Sequence, residues 1–288
     1  MNIHIHDNDD ISINQKSYIQ EILREENIIK KKTSPSTVNF MKRDKESPSL
    51  SEDEKSIYRS RLMKMMFAAN RTRPDILFQC IVLSTRIESA TQEDMDHIIH
   101  LMQYLNYTSH YEIYFHSKGN IKLQAYVDAS HCIYEDRKSQ TAFGIFIDDI
   151  SSAIAFRSVK QKTVANSSTE AEIIAVWEST LHIVLIKNIM IEMGLITSDD
   201  KAILFQDNDA SRRLLSYKNI RTQGNAKFID KKYFNMCEHV DNGDIVIVRK
   251  DTENMIVDFL TKPMTGSKSK DMIMKFMGVT SNQGSVLE

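Results

Sequence analysis

At 288 residues the chain has room for two modest domains, and 41% apolar with 26% charged residues is the make-up of an ordinary globular protein. A net charge of -2 excludes a strongly basic nucleic-acid binder on average, although local basic clusters can hide in it. Cys80, Cys132 and Cys237 have no paired spacing, which argues against a disulfide framework or a zinc site and predicts a reducing, intracellular setting in cytoplasm or nucleus.

The opening MNIHIHDNDD is polar and acidic, with no signal-peptide pattern. QKSYIQEILREENI places Tyr18, Ile22 and Leu23 on one stripe and predicts a helix. The proline-bearing KKKTSPSTVNFMKRDKESPSLSEDE after it reads as a surface loop. KSIYRSRLMKMMFAAN is apolar at helical spacing, and TRPDILFQCIVLSTRI has Pro74 in a first turn. TQEDMDHIIHLMQYLNYT starts a helix at Thr91, with acidic residues in its first turn. This first part reads as a group of helices without a strand pattern.

The pattern changes near residue 111. YEIYFHSKGNIKLQAYVDAS holds two strand-like runs around a Lys-Gly-Asn turn, and TAFGIFIDDI and SAIAFRS are two more. A long helix follows to about Gly194; its apolar stretch LHIVLIKNIMIEMGLI is broken by Lys187, Asn188 and Glu192, which predicts no membrane span. KAILFQD then reads as a strand, DASRRLLSY and KFIDKKYFNMCEHV as helices, GDIVIVRK as the fifth strand, and ENMIVDFLTK as a last helix stopped by Pro263. Antiparallel strands followed by helix–strand alternation predict an α/β fold with a mixed five-stranded sheet and flanking helices. The expected division is 1–116, mainly helical, then 117–266, α/β, then a flexible tail over 267–288.

Within VANSSTEAEIIAV, Ser167 and Glu170 stand in the S-x-x-E relation of a capping box. Glu172 lies one turn inside the helix, with Ala175 and Val176 on its face. Asp128 ends the strand LQAYVD, Asp207 ends AILFQD, and Asp258 lies among apolar residues in MIVDFLTK. Each has a plain structural reading as a cap, turn or helix residue. Together, carboxylates at the carboxyl ends of neighbouring strands converge on one sheet edge. Clustered carboxylates repel unless a cation lies between them, and oxygen ligands without His or Cys favour Mg²⁺ or Mn²⁺. Two such ions about 4 Å apart are a known device for phosphodiester hydrolysis.

TRPDI, YVDAS, DRKS, KQKTVANSSTEAE, QDNDAS and VDFLTKP, in this order and spacing, resemble the ribonuclease H domain of copia-type LTR-retrotransposon Pol polyproteins, preceded by the end of their reverse transcriptase. The resemblance runs from about Asp10 to about Thr265, with KQKTVANSSTEAE its most specific piece. It implies a ribonuclease H-like fold over 117–266 and a thumb/connection remnant of reverse transcriptase over 1–116. It also implies that Asp128, Glu172, Asp207 and Asp258 are catalytic and metal-binding, with two Mg²⁺ or Mn²⁺ ions, and leaves Glu170 as the cap. Departures accompany it. Asp9 and Asp10 lack the aromatic context of a polymerase aspartate pair and have no upstream partner in the chain, so no palm and no DNA synthesis are expected. His131 stands where the family usually has tryptophan, Phe228 and Phe234 replace two histidines, and no histidine precedes Asp258 in RKDTENMIVD.

The resemblance makes an RNA–DNA hybrid the expected substrate, with other retroelement Pol products as further partners and no membrane. Its phosphates would be met by Arg157, Lys160 and Lys162, by Arg212, and by Lys227 and Lys231, all of which read equally well as solvated surface. The alternative to an enzyme is a non-catalytic truncated retroelement remnant with a preserved fold and weak nucleic-acid binding. Trp177 reads as core, and His97 and His100 as ordinary helix residues.

Overall fold

The computed structural model describes residues 1–216 and 236–279. The chain divides into two compact units, one of residues 1–117 with 262–288 and one of residues 118–261.

The first unit is not purely helical. Strands β1 (Asn2–Ile5), β2 (Ile11–Asn14) and β3 (Ile113–Phe115) form an antiparallel sheet in that order. The alternation NIHI and ISIN has the period of a strand, masked in composition by the acidic turn between them; β2 alternates between buried and partly buried residues, whereas β1 is exposed. Asp9 occupies that turn with a left-handed backbone (φ 65°). Asp10 accepts from the Ser117 amide at 2.9 Å, from Asn8 Nδ2 at 2.9 Å, and pairs with His116 Nδ1 at 3.0 Å. The aspartate pair is therefore occupied in shaping a hairpin.

Helices α1 (Lys16–Glu25), α2 (Glu52–Ala69), α3 (Leu77–Ser84) and α4 (Gln92–Tyr107) follow the apolar spacing of the sequence. Ser51 with Glu54 and Thr91 with Asp94 close capping boxes at the starts of α2 and α4. Pro74 begins a single 3₁₀ turn ahead of α3. Behind it the wholly buried Arg73 grips Asp75 through two parallel bonds of 2.9 and 2.7 Å. The expected flexible tail is in part a helix, Ser267–Phe276, because Met272, Ile273 and Phe276 share a face and are buried.

The second unit holds a five-stranded sheet of β4 (Gln124–Ser130), β5 (Gln140–Phe146), β6 (Ala155–Lys160), β7 (Ala202–Gln206) and β8 (Ile245–Arg249), in the order β6-β5-β4-β7-β8. β4–β5 and β5–β6 pair antiparallel, and β4–β7 and β7–β8 parallel. That is the mixed five-stranded α/β sheet predicted from sequence, and its strand order is that of a ribonuclease H-like fold. Helix α5 (Ser168–Glu192) packs Ala175, Val176, Ile183 and Met190 on Val127, Phe143, Ile145 and Leu204, with Trp177 partly buried beside them. Length and composition would let α5 cross a membrane, contrary to the sequence expectation, but half of its apolar stretch is buried inside the protein. Lys187, one of the residues that interrupts it, is buried and pairs with Asp244 at 3.1 Å.

One expected element differs. ENMIVDFLTK is not an α-helix but two 3₁₀ turns, Thr252–Asn254 and Asp258–Leu260. The segment closes on i→i+3 bonds such as Thr261 N–H to the Asp258 carbonyl at 3.1 Å. The helix expected over KFIDKKYFNMCEHV lies mostly outside the described residues, as do Lys227, Phe228, Lys231 and Phe234; 236–240 is helical.

Candidate metal centre

The parallel pairing of β4 and β7 builds the site. Tyr126 sits in register with Phe205, so Asp128 and Asp207, each two residues further on, emerge at the same edge of adjacent strands. β5 is buried along its length and β4 sends Ala125 and Val127 into the core, and Asp128 follows them with only 4% exposure. Helix α5 brings the third carboxylate. Oxygen atoms of Asp128, Glu172 and Asp207 all lie within 4.8 Å of one another. Asp258 is buried on its 3₁₀ turn but is not part of this cluster of three.

The first turn of α5 separates its two glutamates. Ser167 Oγ accepts the Glu170 amide at 3.2 Å, and Glu170 Oε2 accepts from the Asn166 amide at 2.8 Å and from Asn166 Nδ2 at 2.9 Å. Glu170 thus caps the helix, one residue further out than a reciprocal capping box would place it. Glu172 is turned inward and buried. Glu170→Gln keeps an oxygen for the Asn166 amide, so its melting point and any activity should stay close to wild type. Ser167→Ala removes the cap and should cost about 1 kcal/mol by denaturant unfolding.

Burial pushes the Glu172 carboxyl well above the ordinary range, and the nearby charges of Asp128 and Asp207 push it the same way. A bond from Gln206 Nε2 at 3.2 Å and one from the Ala129 amide offset this only in part. Asp207 is half-buried and accepts from Thr252 Oγ1 at 2.8 Å. Asp128 accepts from the Thr261 hydroxyl. Three carboxylates this close, two of them buried, form a hard, oxygen-only donor set with excess negative charge. That set fits a divalent cation, which would relieve the repulsion.

The predicted basic residues fall into different settings. Arg157 on β6 and Lys162 just beyond it are exposed. Lys160 pairs with Asp136 at 2.9 Å and lies 4.4 Å from the Tyr134 ring centre, and Arg212 pairs with Asp209 at 3.3 Å. Sequence reading passed over Gln206, Thr252 and Thr261, the neutral donors at the carboxylates. Gln206 could have been noticed as the residue directly before a strand-end aspartate, whereas nothing in the sequence singles out Thr252.

No protein-family profile matches the chain. It is 27% identical over 277 residues to the retrovirus-related Pol polyprotein from transposon TNT 1-94 of Nicotiana tabacum, a match covering 94% of this chain and 20% of that protein. With the corresponding polyprotein from transposon RE1 of Arabidopsis thaliana it shares 26% over 277 residues, covering 94% and 18%. The chain thus spans about one fifth of the length of these curated relatives. It is also 32% identical over 124 residues to the secreted RxLR effector protein 161 of Plasmopara viticola, covering 43% of this chain and 86% of that one. Among solved structures it is similar to LC11-RNase H1 from compost, with a TM-score of 0.37 and 13% identity over 49% of this chain and 94% of that one. The same enzyme in complex with an RNA/DNA hybrid gives 0.32 and 12%, over 46% and 88%. At these scores the superpositions carry no weight; strand order and register carry the fold.

Proposed function

We propose that this homologue of the copia-type retrovirus-related Pol polyproteins, which carries a ribonuclease H-like domain, hydrolyses the RNA strand of RNA–DNA hybrids. The observation that supports it most is the convergence of Asp128, Glu172 and Asp207 within 4.8 Å at the carboxyl edge of the β4–β7 pair. Two bound Mg²⁺ or Mn²⁺ ions would supply an activated water and stabilise the departing oxygen of an in-line displacement. The chain's own part is to hold the anionic donors rigidly. Asp128 is fixed by its strand, Glu172 by the inner face of α5, and half-buried Asp207 is the most exposed of the three. Asp258 is assigned as the fourth ligand by resemblance alone.

Attack of water on phosphorus with loss of the 3′-oxygen leaves a 3′-hydroxyl and a 5′-phosphate. Exposed Arg157 and Lys162 are assigned in this reading to meet phosphates, with Lys160, Arg212, Lys227 and Lys231 assigned the same role. The 2′-hydroxyl distinguishes the scissile strand from DNA. Asp9 and Asp10 serve a hairpin in this reading, and the chain is assigned hydrolysis and not template-directed synthesis. The test is a labelled hybrid incubated with and without Mg²⁺: the RNA strand is cut only with the metal, and duplex DNA is spared. A folded chain that binds both hybrid and metal but cuts nothing would favour a non-catalytic retroelement remnant.

A further inference from the structure

Each clustered carboxylate accepts from a neutral side chain, and two of these side chains, Gln206 and Thr261, are themselves fully buried. Gln206 is oriented from behind. Ser211 Oγ lies 2.8 Å from the Asn208 carbonyl and 2.8 Å from Gln206 Oε1; donating to Oε1, it leaves the Gln206 amide nitrogen facing Glu172 Oε2 at 3.2 Å.

Thr261 is set in a similar way. Its single hydroxyl proton lies between the Asp128 carboxylate and the Asp258 carbonyl, 3.1 Å away. The carbonyl has the Thr261 amide, also at 3.1 Å, so the charged acceptor takes the hydroxyl. The backbone around Thr261 is anchored by a relay into the sheet. Ser158 Oγ donates to the Leu260 carbonyl at 2.6 Å and accepts from Gln140 Nε2 at 2.7 Å, while Tyr134 donates to Gln140 Oε1 at 2.6 Å.

We propose that Gln206 and Thr261 are positioning residues of the metal centre, each holding one carboxylate in its binding orientation before a cation arrives. The proposal rests on the metal-centre reading of Asp128, Glu172 and Asp207. A neutral donor suits the task. A lysine or arginine there would compete with the cation for the carboxylate, and an apolar neighbour would let the carboxylate turn away.

The test uses the full chain and Mn²⁺ alone, titrated by electron paramagnetic resonance, with circular dichroism melts to confirm folding. Wild type binds Mn²⁺ and Asp128→Asn loses it. Gln206→Met and Thr261→Val each weaken binding by about 10- to 100-fold, whereas Thr261→Ser, which restores the hydroxyl, keeps most of it. Ser211→Ala, which touches no carboxylate, weakens binding in the same direction by freeing the Gln206 amide to turn. If Thr261→Val fails to fold, the Gln206 and Ser211 variants decide. Wild-type affinity in Gln206→Met and Thr261→Val, beside a loss in Asp128→Asn, overturns the positioning roles and leaves the metal centre standing. Equal weakening in Thr261→Val and Thr261→Ser removes the role given to the hydroxyl. A wild type that binds no Mn²⁺ overturns the metal centre and this proposal together.

Discussion

Replacing Glu172 by Gln should lower Mg²⁺-dependent cleavage of an RNA–DNA hybrid by about a thousandfold, the scale on which loss of one electrostatic contact to a reacting phosphate is felt. Glutamine matches the glutamate in size and can still meet the Ala129 amide and Gln206, so the fold should persist. What it removes is one of three charges whose oxygens lie within 4.8 Å. Two residues earlier on the same helix, Glu170→Gln should leave cleavage within about twofold, since its partner is the Asn166 amide at 2.8 Å and not a reacting group. The pair separates a site effect from a helix effect. Asp207→Asn should behave like Glu172→Gln. Cleavage that survives in either variant, or that leaves 2′,3′-cyclic ends, would come from a contaminant or from attack by the 2′-hydroxyl without a metal. Equal losses at 170 and 172 would mean that the inner face of α5 has been misassigned.

The contrast between these glutamates was legible before any coordinates because it depends on local periodicity. A cap must precede the first turn, and a residue two further on must point elsewhere. Asp128 and Asp207 were legible for a related reason: Asp207 follows an apolar strand, Asp128 lies near the carboxyl end of its own, and parallel neighbours bring such ends together. The 3₁₀ form of the Asp258 segment was not legible. Its apolar spacing suits a helix, whereas the Ser158 bond that anchors the Leu260 carbonyl in the turn comes from far away in the chain. The hairpin at the start was hidden because four acidic or amide residues in its turn dominate the composition of a short segment. Gln206 and Thr261 escaped for a deeper reason. Whether a polar side chain meets a particular carboxylate depends on contacts far apart in the chain, and a single sequence carries no periodic signal for those.

Acidifying the metal-free protein should stabilise it over the window governed by Glu172, and Glu172→Gln should erase that response. The folded-state pKa of Glu172 is raised, chiefly by burial and then by Asp128 and Asp207. Above the raised value the carboxylate is charged in both states and burdens the folded one. As pH falls through that value, the folded state takes up the proton before the unfolded state does. Stability therefore rises, and the gain is complete once pH drops below the unfolded value. Half-buried histidines oppose it. His97, His100 and His182 have pKa values lowered chiefly by burial, so below about pH 6.5 the unfolded state binds their protons first and stability falls. Only the difference between wild type and Glu172→Gln isolates the carboxylate. At about pH 8, where histidines are neutral, metal-free Glu172→Gln should melt above wild type, and the gap should shrink on acidification. Adding a divalent cation should reverse the order. At about a hundredfold excess over its dissociation constant, the cation adds about 2.7 kcal/mol to wild type and much less to the variant. Because binding requires ionised carboxylates, that gain should fade at low pH. Metal-free melting curves in which wild type and Glu172→Gln differ by a constant amount between about pH 5 and pH 8 would show that Glu172 does not carry the strained charge of this site.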